Sequence, residues 1–555
     1  MSPPSFRFGS RSRPDTPLHA GTRPRLARGV TFERTSGDRW VTMIHGVPSS
    51  RVSSAVVELL TSLDGQSRLD ELQRRFAAAE SADSFLHLIE RFRASGLLDG
   101  SSKTPPGRVS FRPPLTIQLA TLHAPAIFDR LTAFAAPARA QNVLVPLAVL
   151  LVAGIVSAVP QTPELWHTLV SPVSLTELVV LVLALAALTL LHECAHGLTL
   201  ARFGGRPRRA GIMLFYLAPA FFVDVTDGWR LRDRRQRVAV ALAGPAIHGA
   251  VGAGAIIVAL TVTTPEIDAV LLLLALSCAA IVLVNLIPFV RFDGYLALMS
   301  ALDEPNLRDR SIRDATGAIS RLLFGVQPED KHLDRWWSVP FGLASIVTPI
   351  VLVLMAVARI ADALAGGGPA GGVLVVAVEA GVVSVGAVLL LRGLRRVLRS
   401  GASRLRFCTV IVALLMGVAT AGSLITVPLS TTYGFFMEGG RVALVQAETT
   451  RPADLQGAAS VVLMTNGILG DVEIARGTAK PTSPRPVPAP LEAFLPVTAP
   501  GATIAAEVIA RVHLEGASDV VDVGKARVEH GVRSVWGALW ATGVEEPLSS
   551  LLSDK

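Results

Sequence analysis

The sequence predicts an α-helical polytopic membrane protein of about seven transmembrane helices, with an α+β domain ahead of the membrane region and a β-rich domain behind it. Three observations carry that expectation. Of 555 residues, 50% are hydrophobic and only 17% charged, with a mean hydropathy of +0.49, the balance of an integral membrane protein with soluble additions. Seven runs approach or exceed the ~20 apolar residues that a span needs: about 142–160, 174–200, 238–262, 269–290, 338–360, 372–391 and 407–428. Polar stretches with helical and alternating patterns flank them. The formal charge of +8 and a pI near 10.0 invite a nucleic-acid reading, but the Arg residues cluster in short loops between apolar runs, where topology accounts for them. No nucleic-acid partner is expected.

In chain order, residues 1–22 read as a disordered basic tail. The first 40 residues are rich in Arg and Pro and lack an apolar run, so no cleavable signal peptide is expected. Residues 23–99 form a domain of short alternating stretches, GVTFER and RWVTMI, followed by helical patterns near 53–63, 68–79 and 83–95. In the last of these Phe85, Leu88, Ile89 and Phe92 recur at helical spacing, mostly as core. Residues 100–114, GSSKTPPGRVSFRPP, read as a linker, and the connection extends to 141. The membrane domain then covers 142–428. Within it 211–223 is apolar but too short to span, and reads as a re-entrant or interfacial segment tolerable only if protein covers its backbone. The tail, 429–555, is polar with strand-like stretches such as Thr503 to Leu514 and a Pro-rich connector, PTSPRPVPAP, at 481–490. Cys194, Cys278 and Cys408 all lie in apolar segments, which argues against a disulfide framework.

Orientation follows from the loops. Arg202, Arg206, Arg208 and Arg209 follow the second run, Arg230 through Arg237 precede the third, Arg291 through Arg335 follow the fourth, and Arg392 through Arg406 precede the seventh. The alternate loops, 161–173, 263–268 and 361–371, contain no Lys or Arg. The positive-inside rule then predicts a multi-pass protein of the cell membrane with a cytoplasmic N-terminus and an extracytoplasmic C-terminal domain.

His192-Glu193-Cys194-Ala195-His196 lies near the end of the second run. Two imidazoles four residues apart fall on one helix face, where both can ligate one Zn²⁺ while the intervening Glu reaches the open position at which water is activated. A chance HExxH is expected in roughly one of a hundred such sequences. Burying these groups at membrane depth is costly, which points to chemistry rather than packing. A hydrolytic zinc needs a third protein ligand. Asp293 is the best candidate, in Asn285-Leu286-Ile287-Pro288-Phe289-Val290-Arg291-Phe292-Asp293-Gly294-Tyr295 after the fourth run, at the end predicted to be cytoplasmic. Pro288 and Gly294 break the helix and free the chain to turn the carboxylate toward the metal. Asp224 and Asp227 rank below it as oxygen ligands.

HExxH in one span with NxxPxxxxDG after a later one resembles the site-2 protease family of intramembrane zinc metalloproteases. NLIPFVRFDGYLAL, EPNLRDRS at 304–311 and VDVTDGWRLRDRRQR at 223–237 look like its branch of peptide zinc metalloproteases in bacterial peptide-maturation clusters. The resemblance covers roughly residues 140–430. It implies that His192, His196 and Asp293 hold zinc and that Glu193 is the general base. Ala243-Gly244-Pro245-Ala246-Ile247-His248 resembles the family's AGPxxN, except that His248 replaces the Asn held to stabilise the oxyanion. An imidazole N–H can serve there, and Asn285 is the alternative donor.

Pro24, Leu26, Gly29, Leu63-Asp64-Gly65, Leu69, Leu72 and Gly96-Leu97-Leu98 look like PqqD-like winged-helix domains, the leader-recognition elements of ribosomally made, modified peptides. Such domains take an extended leader by strand addition and a hydrophobic groove, here near residues 46–52 and around Phe85 and Ile89. A DNA-binding winged helix is the rival, to which Arg74, Arg75, Arg91 and Arg93 would be suited. Together the resemblances imply a zinc endopeptidase that cleaves the leader from a precursor peptide in daptide-type or bacteriocin-like maturation. Its partners would be that peptide, membrane lipid, and the modifying enzymes or exporter of the same route. A site-2 protease releasing a membrane-anchored regulator, and a non-catalytic export or immunity protein with a structural zinc, are the alternatives.

Overall fold

The computed structural model describes residues 18–36, 39–44, 47–99, 109–112, 116–121, 123–134, 141–215, 218–326, 332–333, 335–364, 368–447, 457–468, 470–515 and 521–545. The basic tail at 1–17 and most of the stretch read as a linker, 100–114, therefore lie outside the described residues.

Strands Val30–Ser36 (β1), Arg39–Ile44 (β2) and Val47–Ser53 (β3) form an antiparallel sheet in that order. Helices Ser54–Thr61 (α1), Leu69–Phe76 (α2) and Ala82–Ser95 (α3) follow. Local chemistry sets the helix ends. α2 has Asp70 and Glu71 in its first turn and Arg74 and Arg75 in its last, which complements the helix dipole. α3 begins at Ser81, whose hydroxyl accepts from the Ser84 amide at 3.2 Å, and ends at Gly96, whose φ of 90° favours a residue without Cβ.

The leucines that carry the PqqD-like resemblance meet in this domain's core. The Leu26 amide donates to the Leu63 carbonyl at 2.8 Å and the Ala27 amide to the Leu97 carbonyl at 2.8 Å. Leu63, Leu69, Leu72, Leu97 and Leu98 pack together with Phe85 and Ile89. This corrects one expectation: Phe85 and Ile89 are 2% and 0% exposed, so they hold the domain together and offer no surface to a leader.

The stretch read as a connection to residue 141 carries strands Val109–Arg112 (β4) and Thr116–Thr121 (β5) and helix Ala124–Phe134 (α4). Alternation hides β5, because its buried face holds Gln118 and Ala120 while Ile117 and Leu119 point outward, the reverse of the usual strand pattern. Helices Gln141–Ala158 (α5) and Thr162–Val170 (α6), strand Val173–Ser174 (β6) and helix Leu175–Arg202 (α7) come next. Strands Ala210–Phe215 (β7) and Ala218–Val223 (β8) then form a hairpin that completes a four-stranded sheet, β4-β5-β7-β8. Residues 211–215 and 218–223 of the apolar segment are thus strand, with β7 paired on both sides.

Helices Arg234–Ala259 (α8), Pro265–Asn285 (α9), Asp293–Leu302 (α10), Leu307–Phe324 (α11), Ser338–Leu364 (α12), Gly368–Arg399 (α13) and Arg404–Leu424 (α14) complete the helical part. Among the described residues six helices, α7, α8, α9, α12, α13 and α14, are long and apolar enough to cross a membrane. The first expected span is broken: α5 and α6 reach span length only together and bend by 77° between them. Pro160 lies at that break and disfavours helix at the residue before it.

Beyond α14, strands Thr426–Glu438 (β9), Arg441–Ala447 (β10), Ala459–Met464 (β11), Glu473–Pro490 (β12), Thr503–Leu514 (β14) and Val523–Ser534 (β15) close a barrel in the order β10-β14-β12-β11-β15-β9. The short strand Val497–Thr498 (β13) lies outside it, and helix Val535–Trp540 (α15) follows it. Phe435, Leu444, Leu463, Ala510 and Val528 fill the barrel core, each 0% exposed. The Pro-rich segment expected as a connector is instead the second half of β12, paired with β14 from Arg485↔Val508 to Pro490↔Thr503. Pro484, Pro486, Pro488 and Pro490 alternate, so every missing N–H falls on one side of the strand. The β11 ladder ends at Ala479, so that side needs no donor.

The chain divides into two compact units, one of Met1–Leu144, Ala187–His248 and Phe292–Pro305, the other of Val145–Ala186, Gly249–Arg291 and Asn306–Lys555. Within the second unit, β6 pairs in parallel with β13 through Val173↔Val497 and Ser174↔Thr498. Six membrane-length helices separate β6 from the barrel. An even number of such helices is in accord with that pairing.

Candidate metal centre

Every residue of this centre belongs to the first compact unit except Asn285. His192 and His196 sit one turn apart on α7, 7% and 6% exposed. Their rings meet at 78° with centroids 4.8 Å apart, and their Nε2 atoms are 3.1 Å apart. Asp293 opens α10, where the helix N-terminus favours a carboxylate, and its Oδ2 stands 3.1 Å from His192 Nε2 and 3.4 Å from His196 Nε2. The three ligand atoms thus lie within 4.8 Å of one another and could hold a metal ion. Tetrahedral ligands about 2.0–2.1 Å from a metal stand ~3.3 Å apart, close to the three separations found.

The arrangement is held from outside. His196 Nδ1 lies 2.6 Å from the Val240 carbonyl on α8, which fixes its proton on Nδ1 and leaves Nε2 free to ligate. At the far end of α10, Asp303 caps the helix with a left-handed φ of 54° and accepts from Arg237 of α8 at 2.6 Å. Arg237 is itself buried and also donates to the Leu231 carbonyl at 2.7 Å. α10 and its first residue are therefore anchored to α8.

Gly244 on α8 faces the imidazole pair. A Cβ there would come within 2.4 Å of both Nε2 atoms, so only glycine leaves the ligating edge of the rings open. Pro245 follows it inside the helix. The AGP segment signals this position in the sequence, although its role is visible only where α7 and α8 meet.

Glu193 is not one of the three clustered ligands. Its Oε2 accepts from the Val223 amide at 3.0 Å, so the end of β8 fixes the carboxylate beside the metal position. Sequence reading did not foresee this amide, because nothing in a backbone donor is written in residue type. Asp224 and Asp227 serve the turn that follows. Asp224 Oδ1 accepts from the Thr226 amide at 3.1 Å and its hydroxyl at 2.5 Å. Asp227, 1% exposed, accepts from the Arg206 amide at 2.9 Å and pairs with Arg208 at 3.3 Å and Arg230 at 3.5 Å. Neither belongs to the ligand cluster. Arg230 also makes a two-point pair with Glu33 of β1, at 2.7 and 2.9 Å.

The two oxyanion candidates have different surroundings. His248 is 2% exposed, and its Nδ1 lies 3.2 Å from His192 Nδ1. Its Nε2 is buried without a partner among the described residues. Asn285 closes α9, and its amide donates to the Ile281 carbonyl of the same helix at 3.0 Å. Each side chain thus has one polar atom engaged by a nearby protein group. Comparison with family models, curated proteins and solved structures gives no match, so what the chain does is to be read from its own residues.

Proposed function

We propose that this chain is an intramembrane zinc endopeptidase that removes the leader from a ribosomally made, modified peptide. The observation that carries the proposal is the convergence of His192, His196 and Asp293 from α7 and α10 at 3.1–3.4 Å, with Glu193 beside them on the same helix. Nitrogen and carboxylate donors at tetrahedral spacing suit zinc, and three protein ligands leave a fourth position open, as hydrolytic sites require and structural sites do not. When bound, zinc supplies Lewis acidity and eases the deprotonation of water. Glu193, oriented by the Val223 amide, takes the proton from the attacking water and passes it to the leaving amine. Glu193→Gln should keep about one zinc per chain and lower cleavage of a precursor peptide by at least ~100-fold, whereas His192→Ala should lose both. Metal analysis and peptide cleavage on the same purified samples decide it. A metal-free wild type, or a fully active Glu193→Gln, ends the reading.

Leader capture falls to the N-terminal domain, read as a PqqD-like winged helix. With Phe85 and Ile89 in its core, strand addition to the open edge of the β1-β2-β3 sheet is the remaining mode. The Glu33–Arg230 pair and the packing of β3 on the turn at Thr226–Arg230 support the reading, since that turn continues from the Val223 amide bound to Glu193. Release of a membrane-anchored regulator would not call for such a domain. In the proposed orientation the N-terminal domain is cytoplasmic and the barrel extracytoplasmic. A reporter fused at residue 435 should read as extracytoplasmic and one at 320 as cytoplasmic; a cytoplasmic signal at 435 reverses the assignment.

A further inference from the structure

We propose that His248 is a positioning residue, which holds the tautomer and ring orientation of His192 so that zinc affinity depends on an imidazole that never touches the metal. The proposal rests on the zinc reading above. His248 stands four residues after Gly244 on α8, so the residue that clears space for the imidazoles and the residue that steers one of them share a helix face. Its ring meets that of His192 at 67° with centroids 5.1 Å apart, and the two Nδ1 atoms are 3.2 Å apart.

Proton counting fixes the roles. When His192 ligates through Nε2, its one remaining ring proton lies on Nδ1. That N–H then donates to His248 Nδ1, which must be bare rather than donate to the Gly244 carbonyl one turn back, and the His248 proton is driven to Nε2. Nε2 is the atom left buried and unpartnered among the described residues. An unmatched buried donor is unfavourable, so His248 is a poor choice as packing alone; an apolar residue would fill the same space without that cost. The two ligands are also held by different means: His196 by the backbone carbonyl of Val240 at 2.6 Å, which no substitution removes, and His192 by a side chain. Outer partners of ligating histidines set ring orientation and basicity, and their loss weakens metal binding by 10–100-fold in general. An oxyanion role fits the geometry less well, since Nδ1 is the acceptor and the Nε2 donor is enclosed by protein.

The test uses the full chain in detergent, with zinc itself as the probe, measured by chelator competition and by the visible spectrum after cobalt substitution. H248F keeps a ring of similar size and removes the acceptor, and should bind zinc roughly 10–100-fold more weakly with an altered cobalt spectrum. H248N places an amide oxygen near the position of Nδ1 and should restore most of the affinity. Equal zinc affinity in H248F and wild type, or no recovery in H248N, overturns the proposal while leaving the zinc site standing. A wild type without metal overturns both. Should H248F fail to fold, nitrogen-15 histidine NMR of the zinc-loaded wild type decides, the His248 signal being the one lost in H248N. An Nε2–H tautomer for His248 supports the proposal and an Nδ1–H tautomer refutes it.

Discussion

Helix α3 of the N-terminal domain and helix α7 of the metal centre each present side chains at helical spacing, and the two sets meet different ends. On α3, Phe85 and Ile89 disappear into a core that Leu88 and Phe92 also join. On α7, His192 and His196 are also buried, yet their polar edges meet at a carboxylate from another helix. Spacing is the same in both; the free energy of burial is not. An apolar stripe gains on leaving water, so its burial is the default and says nothing about ligands. Imidazoles and carboxylates lose on leaving water unless they are partnered, so their burial at this spacing marks a place where something compensates.

The sharpest way to break the comparison is at Gly244. Gly244→Ala places a methyl group 2.4 Å from both ligating nitrogens, so metal content should fall from about one per chain to near zero, read by metal analysis. Retention of stoichiometric metal would mean that α7 and α8 can part without harm, and that the site is looser than the packing indicates. Next in size is Phe85→Ala, which should destabilise the N-terminal domain by ~3–5 kcal/mol as a buried aromatic truncation while zinc content stays unchanged. Thermal or denaturant unfolding of the domain against its affinity for a leader peptide separates the two roles. Unchanged stability with lost binding would return Phe85 to the ligand surface. Smaller, and confined to one kinetic constant, is removal of residues 1–100. A tethered capture module raises the effective substrate concentration toward millimolar, so KM should rise by ~10-fold or more with kcat changed far less, because leader binding stabilises the ground and transition states equally. An unchanged KM would detach the domain from substrate capture.

Much of this was legible in the chain because it is local. The membrane helices follow from apolar runs, and α1, α2 and α3 from caps and stripes within a few residues of each other. The HExxH spacing by itself puts two imidazoles on one face of α7. Two expectations failed where the periodicity carries a different meaning. β5 buries Gln118 and turns Ile117 and Leu119 outward, so it lacks the mark of a half-buried strand. The alternating prolines of 484–490 look like a connector until the barrel shows that one edge of β12 has no ladder to lose.

What the sequence determined by itself is composition and short-range order: a multi-pass helical chain with a strand-rich tail, the ionisable groups on α7, and the arginine asymmetry of the loops. Only the tertiary structure decided which distant groups face one another. The Val223 amide reaches Glu193 across 30 residues, the Val240 carbonyl reaches His196 across 44, and His248 reaches His192 across 56. Such meetings depend on how closely two helices approach and on which backbone atoms are left exposed at the end of a strand. Neither quantity has a period along the chain, so no local pattern encodes it; both follow from packing elements whose separate stabilities are already set.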